Sequence, residues 1–235
     1  MNNTKLYLIP SGLGTDDSLS VLAPQTADLI KTLKTFVVED MRTARRFLKS
    51  IDKSIDIDSL SLFELNEHTD RKELDEIWNK TKDLNVGIIS EAGCPAVADP
   101  GSDLVALAHK NKKEVVPLVG PSSILLALMG SGMNGQGFSF CGYLPVKNPA
   151  RINAIKKLEN ISRQSQHTQI FIETPYRNLS LFDDLVKTCK ASTLLCVASD
   201  LTTSDQKIET KSIAEWQQHE PDIHKRPAVF LIHAH

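Results

Sequence analysis

Two acids in succession, Glu39 and Asp40, follow the apolar run Phe36-Val37-Val38 and precede Met41-Arg42-Thr43-Ala44-Arg45-Arg46. A carboxylate at the end of a strand can take the proton of a reacting hydroxyl. At the start of a helix it can instead cap free amides and offset the helix dipole, and capping accounts for at least one of the two. A second pair of acids, Glu91 and Asp99, lies in Ser90-Glu91-Ala92-Gly93-Cys94-Pro95-Ala96-Val97-Ala98-Asp99-Pro100-Gly101, and a Gly-Pro loop, Gly120-Pro121-Ser122-Ser123, follows. Loops of this kind suit a ligand held by main-chain groups, because glycine lets backbone come close. Neither is a phosphate cradle, since the Gly-Lys-Ser/Thr of a P-loop and the Gly-x-Gly-x-x-Gly of a dinucleotide site are both missing. Taken singly, each reads most simply as a Gly/Pro turn.

Basic side chains fall in two runs, Arg42, Arg45, Arg46 and Lys49, then Lys147, Arg151, Lys156 and Lys157. Each run is a solvated helix face in its plainest reading and a phosphate-tracking patch in its functional one. With a net charge of −2 and a pI near 6.4 the chain does not bind nucleic acid by bulk electrostatics, so any RNA contact must be a local patch. Glu173 and Arg177 stand at i, i+4 spacing and read locally as an ion pair at a helix start. His68 beside Glu67 has no second histidine at ligand spacing, so no metal is assigned. Cysteines 94, 141, 189 and 196 have neither metal-ligand spacing nor the density of a disulfide framework, which fits a reducing compartment. No apolar run has signal-peptide or membrane-spanning character, and the expected location is the cytoplasm, away from any membrane.

The elements that must position these residues repeat as strand, Gly/Pro loop, helix. Short apolar runs predict strands at 6–9, 36–38, 60–63, 86–89 and 115–119, the last two reading as buried on both faces of a parallel sheet. Apolar residues at helical spacing predict helices near 25–34, 42–49, 73–82 and 124–129. Glycines 130, 132, 135 and 137 mark a change of regime and place a domain boundary there, giving domains 1–134 and 135–235. Further strands are expected at 138–145, 169–172, 194–198 and 227–232, with Trp216 on a short helix as core or domain-packing bulk. The expected fold is therefore two α/β domains, a mainly parallel sheet followed by a mixed one.

The order of the two loops, Ser-Glu-Ala-Gly-Cys-Pro-Ala-Val-Ala-Asp-Pro-Gly and then Val-Val-Pro-Leu-Val-Gly-Pro-Ser-Ser, resembles the tetrapyrrole methylase superfamily of S-adenosylmethionine enzymes. Its closest branch is similar to the ribosomal RNA small subunit methyltransferase I family. Further matches are Glu39-Asp40 with Arg42, Asn66-Glu67, Gly142 to Pro145, and Phe171, Glu173 and Arg177. The first loop, Ser11-Gly12-Leu13-Gly14-Thr15-Asp16, keeps only Pro10 before it and Gly14 of the usual pattern.

This resemblance implies S-adenosyl-L-methionine as cofactor, bound in a cleft between the domains, a C2 homodimer, and ribosomal RNA or the small ribosomal subunit as partner. The matching cofactor segments are Leu13, Glu91 to Pro95 with Ala92 and Gly93, Ser122, Ser123, Ile124, and Pro227-Ala228. On the substrate side it implies Arg42, Asn66, Glu67, Glu173 and Arg177, which Arg45 and Arg46 extend as a basic face. The acceptor it favours is a ribose 2′-hydroxyl, with Asp40 or Glu39 as general base. A small-molecule methyltransferase, such as one acting on a tetrapyrrole, and a non-catalytic cofactor-binding paralogue stay open as alternatives. Two departures lie in the second domain. Ser199 to Thr203 replaces Arg-Glu-Leu-Thr-Lys, and Lys225-Arg226-Pro227 replaces Lys-Gly-Glu.

Overall fold

The computed structural model describes residues 4–14 and 18–235; Thr15 and Asp16 of the first loop lie outside them. Its contacts divide the chain into two compact units, Met1–Ser122 and Ser123–His235. The division falls ahead of the glycine-rich boundary expected near 134, because helix α5 (Ser123–Ser131) belongs with the second sheet. Gly130 of that helix lies so close to Ile208 that an added Cβ would sit 2.5 Å from its Cδ1. Thr210 Oγ1 also donates to the Ser131 carbonyl at 2.8 Å.

Strands β1 (Lys5–Ile9), β2 (Thr35–Val38), β3 (Ser61–Glu64), β4 (Val86–Ile89) and β5 (Glu114–Pro117) form the first sheet in the order β3-β2-β4-β1-β5. Every pairing in it is parallel. Alternate side chains of a strand point to opposite faces, and the core follows that period. Phe36 and Val38 pack with Ala27 and Ile30 of α1 (Pro24–Thr32) and with Ala44, Phe47 and Leu48 of α2 (Met41–Ile51). Val37, Val86 and Ile88 pack instead with Leu74, Ile77 and Trp78 of α3 (Arg71–Thr81) and with Leu104 and Leu107 of α4 (Gly101–Lys110). The chain thus leaves β1 and β2 toward one face and β3 and β4 toward the other. Because β4 lies between β1 and β2, its carboxyl end is flanked on both sides by strands whose following helices take the opposite face. In an open α/β sheet this is the place where a crevice opens.

Burial corrects one expectation. β4 is buried along its whole length, as expected, but β5 is not. It forms the sheet edge, where Glu114 and Pro117 are exposed and Val115 and Val116 only half-buried. An apolar run alone does not distinguish an edge strand from a central one.

In the second unit α5 precedes β6 (Phe138–Tyr143), α6 (Ala150–Ser165), β7 (Thr168–Ile172), α7 (Asn178–Thr188), β8 (Leu194–Ser199), β9 (Lys207–Ser212), α8 (Ile213–Trp216) and β10 (Ala228–His233). The sheet order is β6-β7-β10-β8-β9, with β6 and β7 parallel and the other pairs antiparallel. Its core gathers Phe171, Phe182, Leu185, Val197, Trp216 and Phe230. Trp216 is core, 1% exposed, with its indole N–H donated to the Leu195 carbonyl at 2.8 Å and Phe182 edge-on at 5.4 Å. Among the described residues no helix is long and apolar enough to cross a membrane.

Candidate active site

Ile9, Val38 and Ile89 are in register, so β1, β2 and β4 end level with one another. The chain then turns at Ser11, Glu39 and Ser90, and these three turns are tied together. The Ser11 amide donates to the Gly93 carbonyl at 2.9 Å and its hydroxyl to the Ser90 carbonyl at 3.1 Å. The Glu39 amide donates to the Ile89 carbonyl at 3.3 Å, while Glu39 Oε2 accepts from the Glu91 amide at 3.1 Å. Glu39 therefore places its carboxylate against the end of β4.

The two neighbouring acids are separated by what surrounds them. Burial pushes the Glu39 carboxyl above its ordinary pKa, opposed by the Glu91 N–H and reinforced by the charges of Asp99, Glu91 and Glu67. Asp40 is held below its ordinary value, chiefly by the Thr43 amide and hydroxyl. It is the N-cap of α2, accepting from Thr43 N at 2.7 Å and from Thr43 Oγ1 at 3.0 Å. Asp40 thus does the capping work, while Glu39 carries the raised proton affinity.

The loop after β4 is shaped for close backbone approach. Gly93 has a φ of +74°, and a Cβ there would lie 3.0 Å from Leu13 Cδ2 and 3.3 Å from the Pro121 carbonyl oxygen. Leu13, Gly93 and the Pro121-Ser122 turn, all cofactor candidates or their neighbours, thus converge within the first unit. Pro95 is buried, while Glu91 and Ala92 are exposed. A cavity of about 330 Å³ has Ser11, Gly12, Gly14, Ser90 and Glu91 on one side and Thr43, Arg46, Phe47 and Ser50 of α2 on the other. Glycine-rich backbone on one wall and a basic helix on the other would suit a ligand read through amides beside an anionic partner.

Arg42, Arg45 and Arg46 are exposed along α2, whose opposite face buries Ala44, Phe47 and Leu48. Among the described residues neither Arg45 nor Arg46 forms an ion pair. Asn66 is spent on its own turn, accepting from the His68 amide at 2.9 Å and donating to Glu64 Oε1 at 2.8 Å. Glu67 is exposed and acts on Glu39 through its charge.

The remaining candidates lie in the second unit. Ser123 and Ile124 begin α5, half-buried; Pro227 is exposed, Ala228 buried at the start of β10. Glu173 follows β7 with its side chain fully buried, and Oε1 accepts from the Thr174 amide at 2.7 Å and from Arg177 at 2.6 and 3.0 Å. This is the local ion pair the spacing predicts, although Glu173 Oε2 remains without a partner. The two departures from the branch pattern also meet here. Asp200, at a φ of +48°, pairs with Arg226 Nε at 2.5 Å, and Arg226 Nη1 reaches Asp222 at 2.9 Å.

Two participants do more than their motifs reveal. Ser11 binds the first loop to the second, and its only sequence signal is a hydroxyl directly after a strand-ending proline. Asp99 accepts from the Ala96 amide at 2.9 and 3.0 Å and from the Gly101 amide at 2.8 Å. Its place before Pro100-Gly101 marks it as a turn residue without revealing what it holds.

The chain is a methyltransferase of two α/β units, one all parallel and one mixed, with glycine loops at the carboxyl ends of β1 and β4, a class that its family and relatives show. The family model for Tetrapyrrole (Corrin/Porphyrin) Methylases matches residues 5–217, and the chain belongs to that family. Among its relatives, the Ribosomal RNA small subunit methyltransferase I of Vibrio cholerae is 28% identical over 234 residues, 98% of this chain and 77% of the relative. The protein of the same name from Micromonospora olivasterospora is 31% identical over 202 residues, 86% of this chain and 61% of the relative. The fold is shared with diphthine synthase, at a TM-score of 0.67 and 12% identity, covering 98% of this chain and 90% of that one. It is shared also with the methyltransferase CobJ, at 0.64 and 16%, covering 98% and 94%.

Proposed function

We propose that this methyltransferase moves a methyl group from S-adenosyl-L-methionine to a ribose 2′-hydroxyl of small-subunit ribosomal RNA. The relatives named as ribosomal RNA small subunit methyltransferase I support the substrate. The observation that carries the reading is the cavity that has the glycine loops on one side and Arg46 of α2 on the other.

When bound, the cofactor supplies an electrophilic methyl group. Backbone around Leu13, Gly93 and Ser122 would hold it, and the room a Cβ at Gly93 would need is already taken by Leu13 and the Pro121 carbonyl, which keeps these segments close together. Arg42, Arg45 and Arg46 would position phosphates, which fixes register without reading sequence. Glu39 would take the proton of the attacking hydroxyl, a role worth roughly 10²–10⁴ in rate. Holding acceptor and donor in line would contribute most of the remainder. The reading includes a C2 homodimer, the commonest closed symmetry among soluble oligomers. Four free cysteines suit a reducing cytoplasm.

Labelled methyl transfer to small subunits, to free ribosomal RNA and to a small-metabolite extract, run in parallel, tests the substrate. Label in a 2′-O-methyl nucleotide after nuclease digestion supports the reading. Label only in small metabolites transfers the case to a small-molecule methyltransferase, and the absence of turnover with cofactor bound makes the chain a binding paralogue.

A further inference from the structure

We infer that Asp99 is a positioning residue, whose carboxylate ties Ala96 to the first turn of α4 and so holds residues 91–98 in the shape that receives the methyl donor. The inference rests on the methyltransferase reading and adds to it a side chain with no part in the family motif's proposed contacts.

The loop needs a restraint. Ala96 and Ala98 both occupy the left-handed region, at φ values of 66° and 63°, where a Cβ is disfavoured. Such residues persist only where their surroundings over-determine them. Both Asp99 carboxylate oxygens accept from the Ala96 amide, and Oδ1 also accepts from the Gly101 amide at 2.8 Å. Pro100, between them, has no N–H to offer. Gly101 is the residue that lets the carboxylate in, since a Cβ there would lie 2.8 Å from Asp99 Oδ1. Gly93, at the other end of the loop, packs against Leu13 and the Pro121 carbonyl, so a shift propagated from Ala96 would disturb the cofactor wall.

Asp99 also acts on Glu39 through space. Its charge, with those of Glu91 in the same loop and Glu67 after β3, opposes ionisation of Glu39. On Glu39's own segment the charged groups are Asp40, spent on its cap, and Arg42. Removing the Asp99 charge while keeping its shape should therefore make Glu39 easier to ionise.

Three variants and two measurements test this: calorimetric binding of S-adenosylhomocysteine, and the pH dependence of methyl transfer. Asp99→Ala should weaken binding about tenfold or more, the loss of charge-assisted bonds to two amides. Gly101→Ala, which displaces the carboxylate and leaves it in the chain, should do the same. Asp99→Asn keeps an acceptor oxygen and should bind within about threefold of wild type. Its acid limb should move to lower pH as the Glu39 carboxyl falls toward its ordinary value. The inference is overturned if Asp99→Ala binds like wild type, if the Asp99→Asn profile superimposes on wild type, or if both alanine variants fail to fold. A wild-type protein that binds no S-adenosylhomocysteine would instead overturn the methyltransferase reading itself.

Discussion

The carboxyl ends of β1, β2 and β4 in the first unit and the polar side chains of the second use acids in opposite ways. In the second unit acids are closed off: Arg151 pairs with Asp184 between α6 and α7, and Arg226 holds Asp200. In the first unit Glu39 and Asp99 face backbone amides and carry no ion pair among the described residues, and burial raises the pKa of both. Burial, with other acids near Glu39, disfavours the charged form of such a carboxylate, while the amides oppose that shift. The difference separates acids tied to arginine side chains from acids held against backbone.

The largest effect that can break this contrast lies at Arg151, 6% exposed at its side chain, against Asp184 at 14%. Arg151→Ala leaves the aspartate buried and unpaired and should lower unfolding free energy by about 3 kcal/mol, read from chemical denaturation. A much smaller loss would mean that water already shares the pair. Next comes Arg45→Glu with Arg46→Glu on the exposed face of α2. RNA affinity should fall about tenfold or more, with a shallower dependence on salt, while cofactor affinity stays at wild type. An unchanged RNA affinity would remove α2 from the substrate surface.

The smallest effect sharpens the contrast through pH. A carboxylate with a raised folded pKa binds more protons folded than unfolded, so its contribution to stability falls as pH rises from its ordinary value through the raised one. At neutral pH Glu39 therefore lowers stability, and Glu39→Gln should melt above wild type there, with the gap closing toward acid pH. A variant that melts lower at every pH would make Glu39 a structural residue.

Much of the fold was legible in apolar runs and their closing turns. Val86–Ile89 reads as a buried strand and is one, and the helix bearing Leu74, Ile77 and Trp78 appears where the spacing predicts it. Strand β9, Lys-Ile-Glu-Thr-Lys-Ser, carries no such signal, because an edge strand sheds apolar character for charges that deter further pairing. The unit boundary was masked for a related reason. Glycines 130 to 137 look like a linker, yet Gly130 is the small residue that lets α5 lie against Ile208. At the site, sequence offered Glu39 and Asp40 as equals. The Thr43 contacts of Asp40 and the burial of Glu39 separate them, since capping and catalysis ask for the same residue type at the same strand end. Asp99 was visible as an acid but not as a clamp, for its partners are amides that every residue but proline has.

The most direct test of the account is the single-turnover rate of methyl transfer by Glu39→Gln and Asp40→Asn, measured at saturating cofactor and RNA. If the chemistry resides where burial raises a carboxylate, Glu39→Gln loses roughly 10²-fold or more while Asp40→Asn stays within about threefold of wild type. The reverse order, a collapse in Asp40→Asn with Glu39→Gln near wild type, would contradict it.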